Sequence, residues 1–230
     1  MTNTLHRFGR PEDLEDDYIV FTLTRSGIND IGAVEKARDF LRMALKYNPV
    51  NIAAESPNGP VFRPEKNLNP FKLYARGRKE TVSPEQVIEE MKPPGRALVV
   101  FDNKQALEGF LKEVKEMDFG LSVNASSLVE DVREMALRTG VQPHSINYAL
   151  GFRGNLYRLP DQDVLALTTM CGHGLIASNF AKKMIDRVKE KRLAPEKAAR
   201  YMAKFCVCGA FNTSRAMRIL REARMSKSNV

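Results

Sequence analysis

Arg96-Ala-Leu-Val-Val-Phe101, a helical pattern from Asn103 to about Met117, Phe119-Gly-Leu-Ser-Val-Asn124 and a second helical pattern from Ser126 to Arg138 form the stretch that decides the fold. The two short runs are apolar and end in turn residues, as buried strands do, while the longer windows repeat their apolar residues at helical spacing. Strand, helix, strand, helix in quick succession makes two βα units, which join through right-handed crossovers. The expectation is an α/β fold, a largely parallel sheet with covering helices.

Upstream, Tyr18-Ile-Val-Phe-Thr-Leu-Thr24 reads as another buried strand. Arg25 to Asp30 is a turn, and Gly32 to Tyr47 carries helical periodicity until Pro49 stops it. The stretch at about 48–81 is an irregular excursion rich in Pro, Gly and Asn, with short extended candidates at Val61-Phe62 and Phe71–Tyr74. Ser83-Pro-Glu-Gln86 opens a helix with a capping box and Pro at its first position. Downstream, Ile146–Phe152 and Val164–Met170 read as further strands. A C-terminal three-helix region follows, at Gly174–Lys191, from Pro195 to about Phe205, and from a cap at Thr213 or Ser214 to about Arg224. The expected organisation is an α/β domain over 1–170 and a basic helical region over 171–230 that carries the cysteines. No hard boundary separates them, because the strand at Val164 feeds the first of these helices.

The chain of 230 residues is 43% apolar and 28% charged, which is ordinary for a globular protein. No run approaches the roughly 18 apolar residues of a membrane span, and the N-terminus has no signal-like apolar core. A cytoplasmic, reducing location is the resulting expectation, where clustered cysteines serve as ligands or reactive thiols more often than as disulfides. The net charge of +8 is uneven: Ala181–Val230 holds 14 basic against 4 acidic residues. Such a surface suits an anionic partner. With only Tyr201, Phe205 and Phe211 as stacking platforms in that stretch, a protein partner is preferred there to nucleic acid.

All three cysteines fall in the last 60 residues, as Cys171-Gly-His173-Gly174 and Cys206-Val-Cys208-Gly209. Cys171, His173, Cys206 and Cys208 supply four soft or borderline donors, the number a tetrahedral Zn²⁺ needs. Three thiolates also suit a [4Fe–4S] cluster, with the fourth iron open to a small-molecule substrate or held by His173. The leading expectation is therefore a metalloprotein, an enzyme if the site is open. Cys171, at the end of the expected strand and before a helix N-terminus, is also placed to be a thiol of lowered pKa. That supports a metal-free alternative, in which Cys171 works as base or nucleophile with His173 or Cys208 as partner. A third possibility is a non-enzymatic module that docks on an anionic partner through its basic helices.

Met170-Cys-Gly-His-Gly174 resembles the first catalytic-cysteine motif of the proline racemase and diaminopimelate epimerase group, and Cys208-Gly209 resembles the second. The resemblance implies proton transfer at an α-carbon by Cys171 and Cys208; it covers five residues firmly and extends no further along the chain.

Other residues stand where an α/β fold would place a pocket rim. They are His144, Ser145 and Asn147 in a loop, Thr168 and Thr169 before Cys171, and Asn124 and Ser126 at a strand end, Ser126 also serving as a helix cap. Arg25-Ser26-Gly27 is positioned to receive an anion at a helix start. Asn212, Ser214 and Arg215 follow the second cysteine pair, with Arg215 otherwise a surface cation.

Overall fold

The computed structural model describes residues 7–56, 59–62, 82–206 and 208–226. A short α1 (Pro11–Leu14) precedes β1 (Tyr18–Leu23) and α2 (Ala33–Leu45). The paired strands β2 (Asn51–Ser56) and β3 (Gly59–Phe62) come before α3 (Pro84–Glu89). Then follow β4 (Ala97–Phe101), α4 (Lys104–Met117), β5 (Ser122–Ser126) and α5 (Val129–Thr139). After a long connection come α6 (Gln162–Thr168), α7 (Ser178–Lys189), α8 (Pro195–Ala203) and α9 (Thr213–Met225).

The sheet is not parallel. Its order is β3-β2-β4-β1-β5, and each neighbouring pair runs antiparallel. Because β4 and β5 both run antiparallel to β1, they are parallel to each other, with β1 between them. By the same logic β1 and β2 are parallel across β4. Of the two expected βα units, β4–α4 leads to β5 by a crossover split by β1, the split βαβ arrangement, while no described strand follows α5; β1–α2–β2 is likewise split by β4. Local patterning reports the connection; which strand slips into the gap depends on pairings 77 to 107 positions away, such as Ile19 with Val100 and Phe21 with Asn124.

Alternation along the central strands sends side chains to two cores. Tyr18, Val20, Val99 and Phe101 face α2, α3 and α4, where Phe110 lies 4.9 Å from Phe40 and 5.3 Å from Phe101 between ring centroids. Ile19, Phe21, Leu98 and Val100 face α6 to α9. Each fully buried ring or branched side chain contributes roughly 1.5–3 kcal/mol. The sheet is thus sandwiched, and the C-terminal helices share a continuous core with it.

Three further expectations are corrected. Val164–Met170 is not a strand: Val164, Leu165, Ala166 and Leu167 are consecutive and all buried, in α6. A helix covered on all sides shows no apolar period and mimics a buried strand. Ile146–Phe152 alternates as a strand would but lies in exposed coil. Within the supposed excursion, Asn51–Ser56 is a central strand, and Val61 and Phe62 belong to β3. Phe71–Tyr74 lies outside the described residues.

Candidate metal centre

Cys171 follows the end of α6, in the turn where the Gly174 N–H donates to the Cys171 carbonyl at 3.1 Å. Cys206 and Cys208 occupy the turn between α8 and α9. Gly209 has φ +79 there, a left-handed geometry that lets the chain reverse before α9. The two turns meet. The ligand atoms of Cys171, His173 and Cys208 lie within 4.8 Å of one another, and Cys206 Sγ is 3.8 Å from Cys208 Sγ. None of the three cysteines is in a disulfide and all three are buried, while His173 is exposed.

Residues far away in sequence fix these turns. Arg7 Nη2 donates to the carbonyl of Met170, just before Cys171, at 3.2 Å, and to that of Ala210, just beyond the second pair, at 2.5 Å. Asn51 Nδ2, at the start of β2, donates to the Gly209 carbonyl at 2.9 Å. The Phe211 N–H donates to Cys206 Sγ at 3.3 Å. Asn212, not Thr213 or Ser214, caps α9: its Oδ1 accepts from the Arg215 N–H at 3.0 Å, and its Nδ2 donates to Asp17. Arg215 is no surface cation. It is fully buried, with Nη1 2.8 Å from Asp17 Oδ2 and Nη2 donating to the Phe8 carbonyl. Arg7 pairs with the other oxygen of the same carboxylate. Two guanidinium groups therefore share one buried Asp17, and Arg7 Nε and Arg215 Nε have no hydrogen-bond partner among the described residues.

The expected low-pKa thiol is overturned. Cys171 sits beyond the C-terminal end of α6, the negative end of that helix, and α7 starts only at Ser178. Hydrogen bonding to Cys206 and then burial push the Cys171 thiol up to about 12. Cys208 is pushed up as well, by its bonds to Cys171 and Cys206 and by burial.

The remaining sequence candidates are dispersed. Thr168 and Thr169 hydroxyls bond back to carbonyls of α6, and Thr169 Oγ1 also accepts the Phe8 N–H. Ser126 ends β5 instead of capping a helix, since α5 begins at Val129. At Arg25–Gly27 the amides of Arg25 and Gly27 are taken by the side chains of Asn29 and Asp30, so the turn holds no anion cradle. His144, Ser145, Asn147 and Asn124 border a separate cavity beside β5. Sequence reasoning missed Arg7, Asp17 and Asn51, whose partners at the site are 158 to 203 positions away. Such long-range pairings leave no local signal.

Comparison with protein-family models, with curated proteins and with solved structures finds no match. The chemistry must be read from the site itself. Among the described residues, no helix is long and apolar enough to cross a membrane.

Proposed function

We propose that this chain is a metal-binding protein in which Cys171, Cys206, Cys208 and His173 hold one tetrahedral ion of the Zn²⁺ type. The spacing carries the reading. A zinc–sulfur bond of about 2.3 Å in a tetrahedron sets two sulfurs about 3.8 Å apart. Cys206 and Cys208 have that separation, and the donor atoms of Cys171, His173 and Cys208 lie within 4.8 Å of one another. A four-iron cluster binds its thiolates through separate irons and needs a wider ring of sulfurs, so the donor set favours a single ion over [4Fe–4S].

Charge supports the same assignment. Three thiolates, a neutral imidazole and one divalent cation carry one net negative charge. Arg7, Arg215 and Asp17 together carry one net positive charge, and Arg7 grips the carbonyl preceding Cys171. An excess buried cation needs a nearby anion, which a thiolate-rich site supplies.

With four protein donors the shell is closed, and its role is to staple the turn after α6 to the turn between α8 and α9. His173 is the donor that solvent reaches. Metal-free acid–base catalysis has less support, since raised thiol pKa values weaken the base. Moreover, the sulfurs of Cys171 and Cys208 lie within 4.8 Å of each other, too close for an α-carbon to sit between them.

Elemental analysis of the purified chain tests the reading. We expect one zinc per chain and, on cobalt replacement, an intense thiolate-to-metal absorption with tetrahedral visible bands. Cys208→Ser should bind the ion at least tenfold more weakly in competition with a chromogenic chelator. A brown protein with iron and acid-labile sulfide would overturn the single-ion reading.

A further inference from the structure

Between α5 and α6, residues 140–160 contain no acidic side chain, while Arg153 and Arg158 are both exposed. Apart from a 3₁₀ turn at Leu156–Arg158, the segment has no helix or strand. It displays Tyr148, Phe152 and Tyr157 to solvent, with Tyr148 56% and Tyr157 101% exposed. Aromatic rings left in water beside guanidinium groups cost free energy unless something covers them, and such patches mark interaction sites. The exposed rings that the basic C-terminal helices lack, with Tyr201 and Phe205 half-buried and Phe211 buried, are found here.

The start of the same segment borders a cavity of about 700 Å³ that wraps the edge strand β5. That volume falls within the roughly 300–1,000 Å³ typical of ligand sites. Its lining residues include Asn124 and Ser127, whose Nδ2 and Oγ are buried and without a hydrogen-bond partner. Unpaired buried polar atoms are rare and call for a polar occupant. Lys115 and Arg133 border the cavity, against a single acid among its lining residues, Asp118.

We propose that the segment 144–158 and the adjoining cavity bind single-stranded nucleic acid. Bases stack on Tyr148 and Tyr157, the arginines and Lys115 hold phosphates, and one splayed base enters the cavity to meet Asn124 and Ser127. An amide side chain is suited to a base edge, since it offers both a donor and an acceptor. A duplex keeps its bases stacked internally and offers nothing to the exposed rings, so single strands are preferred. The metal reading is not needed for this inference.

The test uses the full chain, with metal content measured on every sample. Fluorescence anisotropy with labelled 15-nucleotide RNA, the same sequence as single-stranded DNA, and the matching duplex separates the polymers. Single strands of one or both sugars should bind, and the duplex at least tenfold more weakly. Tyr148→Ala with Tyr157→Ala should weaken binding by roughly tenfold or more. These side chains are exposed, so melting temperature and metal content should not change. Arg153→Gln with Arg158→Gln should flatten the logarithmic salt dependence by about 1.4, and Asn124→Ala should cost roughly tenfold or less. No binding at low salt, or equal binding by wild type and the tyrosine double variant, overturns the proposal. So does self-association that the tyrosine substitutions abolish without any oligonucleotide binding, which would mark a protein-docking surface.

Discussion

Asp17 stands between two buried guanidinium groups, with its side chain wholly out of solvent. Asp17→Asn removes the carboxylate that Arg7 and Arg215 share and leaves two cations facing each other. Breaking a buried pair in this way costs about 3–5 kcal/mol, which urea denaturation of the variant should show. Asp16 pairs with Arg218 at the half-exposed edge of the same region, at 2.8 Å. Its replacement by Asn should cost no more than about 1 kcal/mol. The thiols give a second prediction at this scale. In the metal-free fold Cys171 titrates above its ordinary 9.0, near 12, because its protonated form is bonded and buried. A raised folded-state value stabilises fully below the unfolded value and fades as pH rises toward the folded one. The melting temperature of the chelator-treated protein should therefore fall as pH climbs above about 9. Metal requires thiolates, so the loaded protein should show the opposite trend and weaken as protons compete below neutrality. A metal-free sample whose melting temperature rises above pH 9 would contradict the environment assigned to Cys171. The grouping of Cys171, His173 and Cys208 was legible, because C-x-H and C-x-C spacing is local. The arginine clamp was not, because Arg7 meets Met170 and Ala210 from 163 and 203 positions away.

The turn between α8 and α9 binds fold to site. Gly209 holds φ +79, and its carbonyl accepts from Asn51. A Cβ there costs about 1–2 kcal/mol from the left-handed backbone alone. Gly209→Ala should therefore lower stability by about that much and also reduce metal affinity, because Cys208 precedes it on the same turn. Calorimetry and chelator competition on one sample separate the two effects. Elements with a clear amphipathic period, α2, α4, α7, α8 and α9, were readable in the sequence to within a few residues, since one apolar face against one core prints a 3.6-residue repeat. The period failed where burial is all-round, in α6, and where the strand is short and poor in large side chains, in Asn-Ile-Ala-Ala-Glu-Ser of β2. It also misled at Ile146–Phe152, where alternation exists without a sheet partner.

Across the whole molecule, the two layers of helix differ in what holds them to the sheet. The α2–α4 layer is fastened by large rings, with Phe40, Phe101 and Phe110 in mutual contact. On the other face the core mixes Ala198, Ala199, Ala203, Ala210 and Ala216 with larger side chains such as Met170, Met202 and Phe211. The alanines let α8 and α9 approach closely but bury little apolar area each, and a bound ion would add to what holds the meeting of α6, α8 and α9. Local opening free energies are thus expected to diverge between the faces once the ion is removed. Hydrogen exchange followed by mass spectrometry, with and without a strong chelator, should show faster exchange in α6, α8 and the start of α9. Peptides from α2, α4 and β4 should keep their protection. Uniform loss across both faces would mean that the ion holds up the entire fold, and unchanged protection everywhere would mean that the donors bind no stabilising ion. Only the divided pattern agrees with a staple that serves one layer of the sandwich.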